Sequence, residues 1–513
     1  MAALDWSTLG TRKFDLKPQG GVGQAATLGA GAVAAVPSGT FSALGGAGFP
    51  MQVGTASGGL TAFGHVPISD GSTAVAGASM NSINVPATNP QSCTVAVLME
   101  MTGNKADVTF TNTDGRQNAG LFSWESGGNS GGSVGIDRTV RFANGVGPGG
   151  GDWWLWNASA LRVPCNLQLV VFRRNGGDVT INTSAADQQT ITTGDGVGTS
   201  TQSFSAGTLQ NNNTAIGKIA RWYVWDSQLS DANVAALYND VYASGGLAPT
   251  AYTGDVVLLG DSITTGRYGH GGKAWVDHFL IVAHAAKKRV WNYARSGEKL
   301  NGGLQTTLAA QIADTNSSTL TQTQLKALFG STGASFPRKC TVVLMLGAND
   351  LIARGGGATG VTGAVMLIGL RAACQLLKQW GARVYVVAPT PVRVAAWASG
   401  TIESVETVRR DYITAAQALV GTEIDALLTW DGTDFEPAAA TDAEIAKITT
   451  GPNYQLATAV TSNLMHTSAK GDGIHPGPIG HGALGGKITQ FVMQRLIAAD
   501  AVRKGGFIQR IGR

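Results

Sequence analysis

The hydrophobic pattern along the chain changes period twice, and the two changes divide it. From about residue 89 to 229 apolar and polar positions alternate with period two in CTVAVLME, ADVTFTNT, AGLFSWES, RTVRFAN, LQLVVFRR, DVTINTS and IARWYVWD, with Gly, Asn and Asp turns between them. Short alternating strands without intervening helices predict an antiparallel β-sandwich. A helix over SDANVAALYNDVY follows, with Ser230 as its cap, Val234, Leu237, Tyr238 and Val241 on one face, and Gly245 and Gly246 as its stop.

Beyond LAPTAYTG, residues 247–254, which reads as a linker, continuous aliphatic runs replace the alternation: DVVLLG, RVWNYA, CTVVLMLG, RVYVVAPT and IDALLTW. Helical patterns stand between them, in KAWVDHFLIVAHAAKK, VTGAVMLIGLRAACQLLKQW and VETVRRDYITAAQAL, and another closes the chain near HGALGGKITQFVMQRLIAA. Strands that are aliphatic throughout are buried on both faces, so residues 255–513 are expected to form a doubly wound, flavodoxin-like α/β fold around a parallel five-stranded sheet. The chain is therefore multidomain. Residues 1–88, rich in Gly, Ala, Ser and Thr, are set apart as an arm or attachment segment, 89–246 as the sandwich with its helix, 247–254 as linker and 255–513 as the α/β domain.

Composition narrows the picture. The chain of 513 residues is 43% hydrophobic and holds 71 glycines, while charged residues are only 14%. That suits a turn-rich, β-rich protein with a weakly charged surface. A formal charge of +4 with scattered Lys and Arg gives nucleic-acid binding no support. Cys93, Cys165, Cys340 and Cys374 are far apart without CxxC spacing, which points to buried free thiols instead of a zinc site. No apolar run approaches the length of a membrane span, and the amino terminus shows no export signal, so membrane insertion is not expected.

In a doubly wound sheet ligands bind beyond the carboxyl ends of the strands. Asp261 and Ser262 follow the first of these strands, Gly297 the second, Asn349 and Asp350 the third, and Asp472 and His475 precede the last helix. In the order GDSI, the Gly of ARSGE, GAND and DGIHP, these residues resemble the four blocks of the SGNH, or GDSL-type, hydrolases over about residues 254–500. Ile263 stands where that family usually has Leu.

The resemblance implies a serine esterase, and the residue types agree with it. A serine hydroxyl needs a base within hydrogen-bond reach, which His475 supplies, with Asp472 three residues earlier to orient the imidazole. The backbone N–H groups of Ser262 and Gly297 and the Asn349 amide would form the oxyanion hole. Asp261 and Asp350 are supporting residues that bond backbone donors. Ser262 is expected at a helix N-terminus, where the dipole favours developing negative charge. The chemistry calls for no metal and no cofactor.

Several features compete. His481 is a rival base in the same loop, and Gly302 and Gly303 rival Gly297. GNSGG at 128–132 matches GxSxG but lies among sandwich strands, with only His65 upstream, and reads as a loop. Trp153, Trp154 and Trp156 could stack sugars but suit packing better. His278 and His284 lack the i, i+4 spacing of a metal pair.

The strand-and-helix ending IARWYVWDSQLSDANVAALYN resembles laminin-G or concanavalin-like domains. A lectin-like sandwich ahead of an esterase suggests an acylated glycan as substrate, with acetyl as the group removed. A missing export signal and a Gly/Ala-rich arm fit a phage tail fibre or tailspike, a virion protein that would be a homotrimer and would meet other virion proteins through the arm. Two alternatives are a lipase or thioesterase acting on small esters and a receptor-binding virion protein without catalysis.

Overall fold

The computed structural model describes residues 12–18, 40–42, 48–53, 66–67, 83–88, 92–104, 118–125, 130–135, 138–144, 155–192, 202–206, 215–225, 227–244, 252–266, 274–294, 297–300, 340–392, 399–430, 474–476 and 478–511. They fall in two units, Met1–Ala251 and Tyr252–Arg513.

The described residues of the first unit form two antiparallel sheets, of nine and six strands. The longest strands of the larger sheet, Ser92–Asn104 and Ala215–Trp225, lie side by side, and Gln168–Asn175 flanks the former. The smaller sheet is built on Asn118–Glu125, Ser130–Gly135, Thr139–Asn144 and Leu155–Arg162. The two sheets meet face to face where Phe122 and Phe142 of the smaller one pack on Phe172 of the larger, at ring separations of 5.0 and 6.2 Å. Gly132 leaves room for that contact, since a Cβ there would stand 2.8 Å from Phe122 Cζ and 2.9 Å from Phe172 Cζ.

The helix Asp231–Ser244 closes the unit as the periodicity predicts. Ser230 Oγ accepts the Asn233 N–H, and Val234, Leu237, Tyr238 and Val241 are buried against Leu98, Leu169 and Trp225. Segments from the region read as an arm join these sheets. Arg12–Pro18 pairs antiparallel with Ala215–Trp225, and Ile83–Thr88 with Gln202–Ala206. The first unit thus begins before residue 89, because RKFDLKP has a short period-two alternation of its own within a Gly-rich surrounding.

In the second unit strands β1 (Gly254–Gly260), β2 (Lys288–Asn292), β3 (Thr341–Met345), β4 (Arg383–Val387) and β5 (Ala426–Leu428) form one parallel sheet in the order β2-β1-β3-β4-β5. That is the flavodoxin-like order, whose switch point lies between β1 and β3. Every residue of β3 is buried, as are the last five of β1 and the last four of β4. Such fully covered strands explain the aliphatic runs of the sequence, each buried side chain being worth roughly 1.5–3 kcal/mol.

The described helices of the unit are α1 (Trp275–Ala285), α2 (Ala348–Gly355), α3 (Gly363–Gln379), α4 (Ser399–Gln417) and α5 (Pro478–Ile511). α1 packs on α5 through glycine: a Cβ at Gly485 would stand 2.7 Å from His278 Cβ and 3.1 Å from the Trp275 carbonyl oxygen. His278 is therefore a packing residue in this helix pair. Arg409 of α4, fully buried, forms a two-pronged ion pair with Glu406 at 2.8 and 2.7 Å and donates to the Pro389 carbonyl at 3.1 Å, which pins the segment after β4. All four cysteines are buried and outside disulfides, as the spacing implies.

α3 and α4 meet at Gly363, where a Cβ would stand 2.6 Å from the Tyr412 nitrogen and 2.7 Å from Asp411 Cβ. Ala in a helix normally gains up to about 1 kcal/mol over Gly. Here Gly363→Ala is expected to lose about 1–3 kcal/mol in denaturant unfolding through overpacking, and a gain in stability would contradict the close approach.

Candidate active site

β1 delivers the chain to the carboxyl edge at Gly260, where a Cβ would collide with Thr264 Oγ1 and stand 2.9 Å from the Met345 carbonyl oxygen of β3. Only glycine lets the chain leave the sheet this close to its neighbour. A run of turns over residues 261–266 follows. It is held by Thr265 N–H on the Asp261 carbonyl at 2.9 Å, by Ile263 N–H on Asp261 Oδ1 at 3.0 Å and by Thr265 Oγ1 on the Ser262 carbonyl at 2.8 Å. Asn292, the last residue of β2, donates to the Thr264 carbonyl at 2.8 Å and ties the turn to the neighbouring strand.

Ser262 was expected at the start of a helix, and the structure corrects this. The turn ends at Gly266, whose φ of 91° is left-handed, and α1 begins only at Trp275. Among the described residues no helix dipole serves Ser262.

Opposite the turn, His475 stands just ahead of α5, and its Nε2 lies 2.6 Å from Ser262 Oγ. Both residues are buried, at 4% and 5% exposure, so the hydrogen bond forms away from bulk water. With Nε2 accepting the hydroxyl proton, Nδ1 carries the ring proton, the tautomer a general base requires. Asp472 lies outside the described residues, as do Gly302, Gly303, His65, Trp153 and Trp154.

The rival base is accounted for. His481, fully buried, accepts the Trp275 N–H at Nδ1 over 3.3 Å and so joins the first turn of α5 to the start of α1. Its place is structural.

β3 leads into α2 through Gly347 at φ 124°, where a Cβ would stand 2.9 Å from Met366 Cε. Asn349 Nδ2 donates to the Glu298 carbonyl at 3.0 Å, and Asp350 Oδ2 accepts the Leu300 N–H at 2.8 Å. Blocks two and three of the sequence pattern are thus joined directly. Gly297 has φ 80°, which glycine adopts freely and other residues rarely do. The partners of Asn349 and Asp350 on this loop are backbone groups of Glu298 and Leu300, and backbone groups leave no motif. Asn292 could have been found as a polar residue ending the strand RVWN.

Asp261 is fully enclosed. Burial pushes its carboxyl up from the usual 3.8 to about 7, the Ile263 N–H works against that rise, and the Asp350 charge adds to it. The folded state thus holds this proton to higher pH than the unfolded chain does.

The remaining sequence candidates belong to the first unit. Ser130–Gly132 of GNSGG lie inside strand Ser130–Gly135, paired on both sides, and not at the strand-to-helix turn that a nucleophile elbow requires. Trp156 sits in strand Leu155–Arg162 opposite Ala143. Among the described residues no group of three or more His, Cys, Asp or Glu is placed to hold a metal ion.

The parallel sheet and the Ser262–His475 pair fit a hydrolase domain of the SGNH, or GDSL-like, type. Residues 258–483 match the GDSL-like Lipase/Acylhydrolase family, a span that includes Ser262, Gly297, Asn349, Asp350, Asp472 and His475. Among solved structures, similar chains include a catalytic mutant of Axe2, an acetylxylan esterase from Geobacillus stearothermophilus, at 14% identity and TM-score 0.28 over 47% of this chain and 94% of that one. The acetyl xylan esterase AlAXEase is similar at 14% identity and TM-score 0.29, over 46% of this chain and 99% of its own. Domain 4 of AbnA, a GH43 extracellular arabinanase from G. stearothermophilus solved with arabinotriose, is similar at 14% identity and TM-score 0.22, over 29% of this chain and 66% of that one. No curated protein matches the chain.

The raised Asp261 carboxyl has a consequence for stability. A carboxyl held above its unfolded value contributes stability that is complete below about pH 4 and is lost as pH rises through 7. Asp261→Asn keeps an oxygen for the Ile263 N–H and has nothing to ionise. Its stability relative to wild type is expected to improve by on the order of 1–3 kcal/mol between pH 5 and pH 8 in urea unfolding; a difference that stays constant with pH would contradict the assignment.

Proposed function

We propose that this chain is a serine ester hydrolase that removes acyl groups, foremost O-acetyl, from a polysaccharide. The observation that carries the reading is the buried 2.6 Å hydrogen bond between Ser262 Oγ and His475 Nε2. A protein that only bound its partner would have no use for a buried Ser–His pair at the switch point of a doubly wound sheet.

The proposed course of reaction builds on that pair. Ser262 Oγ attacks the ester carbonyl while His475 takes its proton, and the carbonyl oxygen becomes an oxyanion. The N–H groups of Ser262 and Gly297 and the second amide hydrogen of Asn349 are assigned to that oxyanion, and Asp472 to the His475 ring. Collapse of the tetrahedral adduct breaks the bond to the alkoxy oxygen, which leaves with the proton from His475. A water molecule, deprotonated by His475, then attacks the acyl-serine; the acyl–Oγ bond breaks, Ser262 takes the proton back from His475 and the acid is released.

The glycan part of the proposal draws its support from architecture: two antiparallel sheets ahead of the hydrolase unit supply a second body that could hold a polymer while ester groups are removed. In the same proposal the chain works outside the cell as a trimeric virion attachment component, a reading supported by the order of a β-sheet unit ahead of the hydrolase unit.

Wild type and Ser262→Ala are to be compared for acetate release from purified bacterial surface polysaccharides and from a small chromogenic acetate. Turnover of both by wild type, with a loss of roughly 10³-fold or more in the variant, is the expected result. Wild-type turnover of neither would overturn the esterase, and turnover of the small ester alone would overturn the glycan assignment. The histidines separate in the same assay. His475→Gln is expected to reduce kcat by about 10³-fold or more, whereas His481→Gln lowers stability by about 1 kcal/mol and leaves kcat within a few-fold. The wild-type rate should fall on the acid side as His475 becomes protonated, and a rate flat with pH would contradict the general base.

A further inference from the structure

Asn349 and Asp350 are consecutive residues in the first turn of α2, and both reach the same short loop. Asn349 Nδ2 donates to the Glu298 carbonyl at 3.0 Å, and Asp350 Oδ2 accepts the Leu300 N–H at 2.8 Å. Glu298, Leu300 and Asp350 are all buried, Asp350 completely. The two bonds act on successive peptide planes, the one between residues 298 and 299 and the one between 299 and 300. Gly297 stands immediately before them at φ 80°. With those planes fixed, residues 297 and 298 are the joints left between the clasp and the Gly297 N–H.

We infer that Asp350 is a positioning residue for oxyanion stabilisation: its bond to Leu300, beside that of Asn349 to Glu298, clasps the loop and aims the Gly297 N–H. This rests on the esterase reading and adds to it the device that aligns its donors. An ionised carboxylate facing a developing oxyanion would oppose it, so Asp350 serves the reaction through the backbone and does not touch substrate. Asn349 has two roles: one amide hydrogen holds the loop and the other is left for the oxyanion.

Such a device acts on the transition state more than on the ground state. Asp350→Ala is expected to lower kcat about 10- to 100-fold, less than the roughly 10²- to 10³-fold that loss of a whole oxyanion donor costs, while KM changes less than about threefold. Asp350→Asn retains an oxygen that can accept the Leu300 N–H and is expected to recover most of kcat. Asp350→Ser, which is polar but too short to reach Leu300, replaces the alanine variant if that one fails to fold.

The assay uses full-length protein and a small acetate ester, with the folded fraction of each variant fixed by circular dichroism and Ser262→Ala as a parallel control. A kcat per folded molecule within twofold of wild type in the Ala or Ser variant would overturn the inference and leave the esterase intact. Loss of kcat in Asp350→Asn equal to that in Asp350→Ala would also overturn it, since the charge itself would then be the requirement. Wild-type turnover that survives Ser262→Ala would instead remove the esterase reading, and this inference with it.

Discussion

The hydrogen bond between Ser262 and His475 is the constraint on which the second unit depends. Its partners are 213 residues apart and both are buried, so each must be delivered to the same small volume by a rigid element. β1 brings the serine: it is held between β2 and β3, and its exit at Gly260 is pressed against the end of β3. α5 brings the histidine: its first turns are docked on α1 by the contact of Gly485 with His278 and by the Trp275 N–H on His481. A shift of either element by a fraction of a turn would break a 2.6 Å bond, so the packing of α1 on α5 is part of the site.

Burial of the pair brings two carboxylates into the protein interior with it. Asp261 and Asp350 are almost fully enclosed, and each spends an oxygen on a backbone N–H, of Ile263 and of Leu300. Buried charge without such partners would be strongly unfavourable. The two groups repel each other, which is one cause of the raised Asp261 carboxyl. Structural groups and reacting groups are therefore hard to separate here: the side chains that shape the loops also set the electrostatics in which an oxyanion would form.

Much of this was legible in the sequence, for physical reasons that differ between features. The five strands of the second unit were visible because a parallel strand covered on both faces must be aliphatic throughout, as VVLL in β1 and TVVLM in β3 are. Ser262, Gly297, Asn349, Asp350 and His475 were visible because each follows a strand or precedes a helix within a recognisable motif. What escaped depends on tertiary context. The clasp ends on the Glu298 carbonyl and the Leu300 N–H, which every residue possesses. His481 and His475 could be ranked by spacing but not assigned until His481 was seen to accept from Trp275. The helix expected after Ser262 does not start there, since Gly266 turns the chain into left-handed backbone. In the first unit Arg12–Pro18 joins a sheet through seven residues whose alternation is too short to stand out from the Gly-rich stretch around it.

The most direct test of the central claim is labelling with an alkyl fluorophosphonate, which reacts with a serine only when a base activates it, followed by mass spectrometry of the labelled peptide. The account predicts a single modification at Ser262 in the wild-type protein and its disappearance in His475→Ala. Label at another residue, or equal labelling of Ser262 without His475, would contradict it.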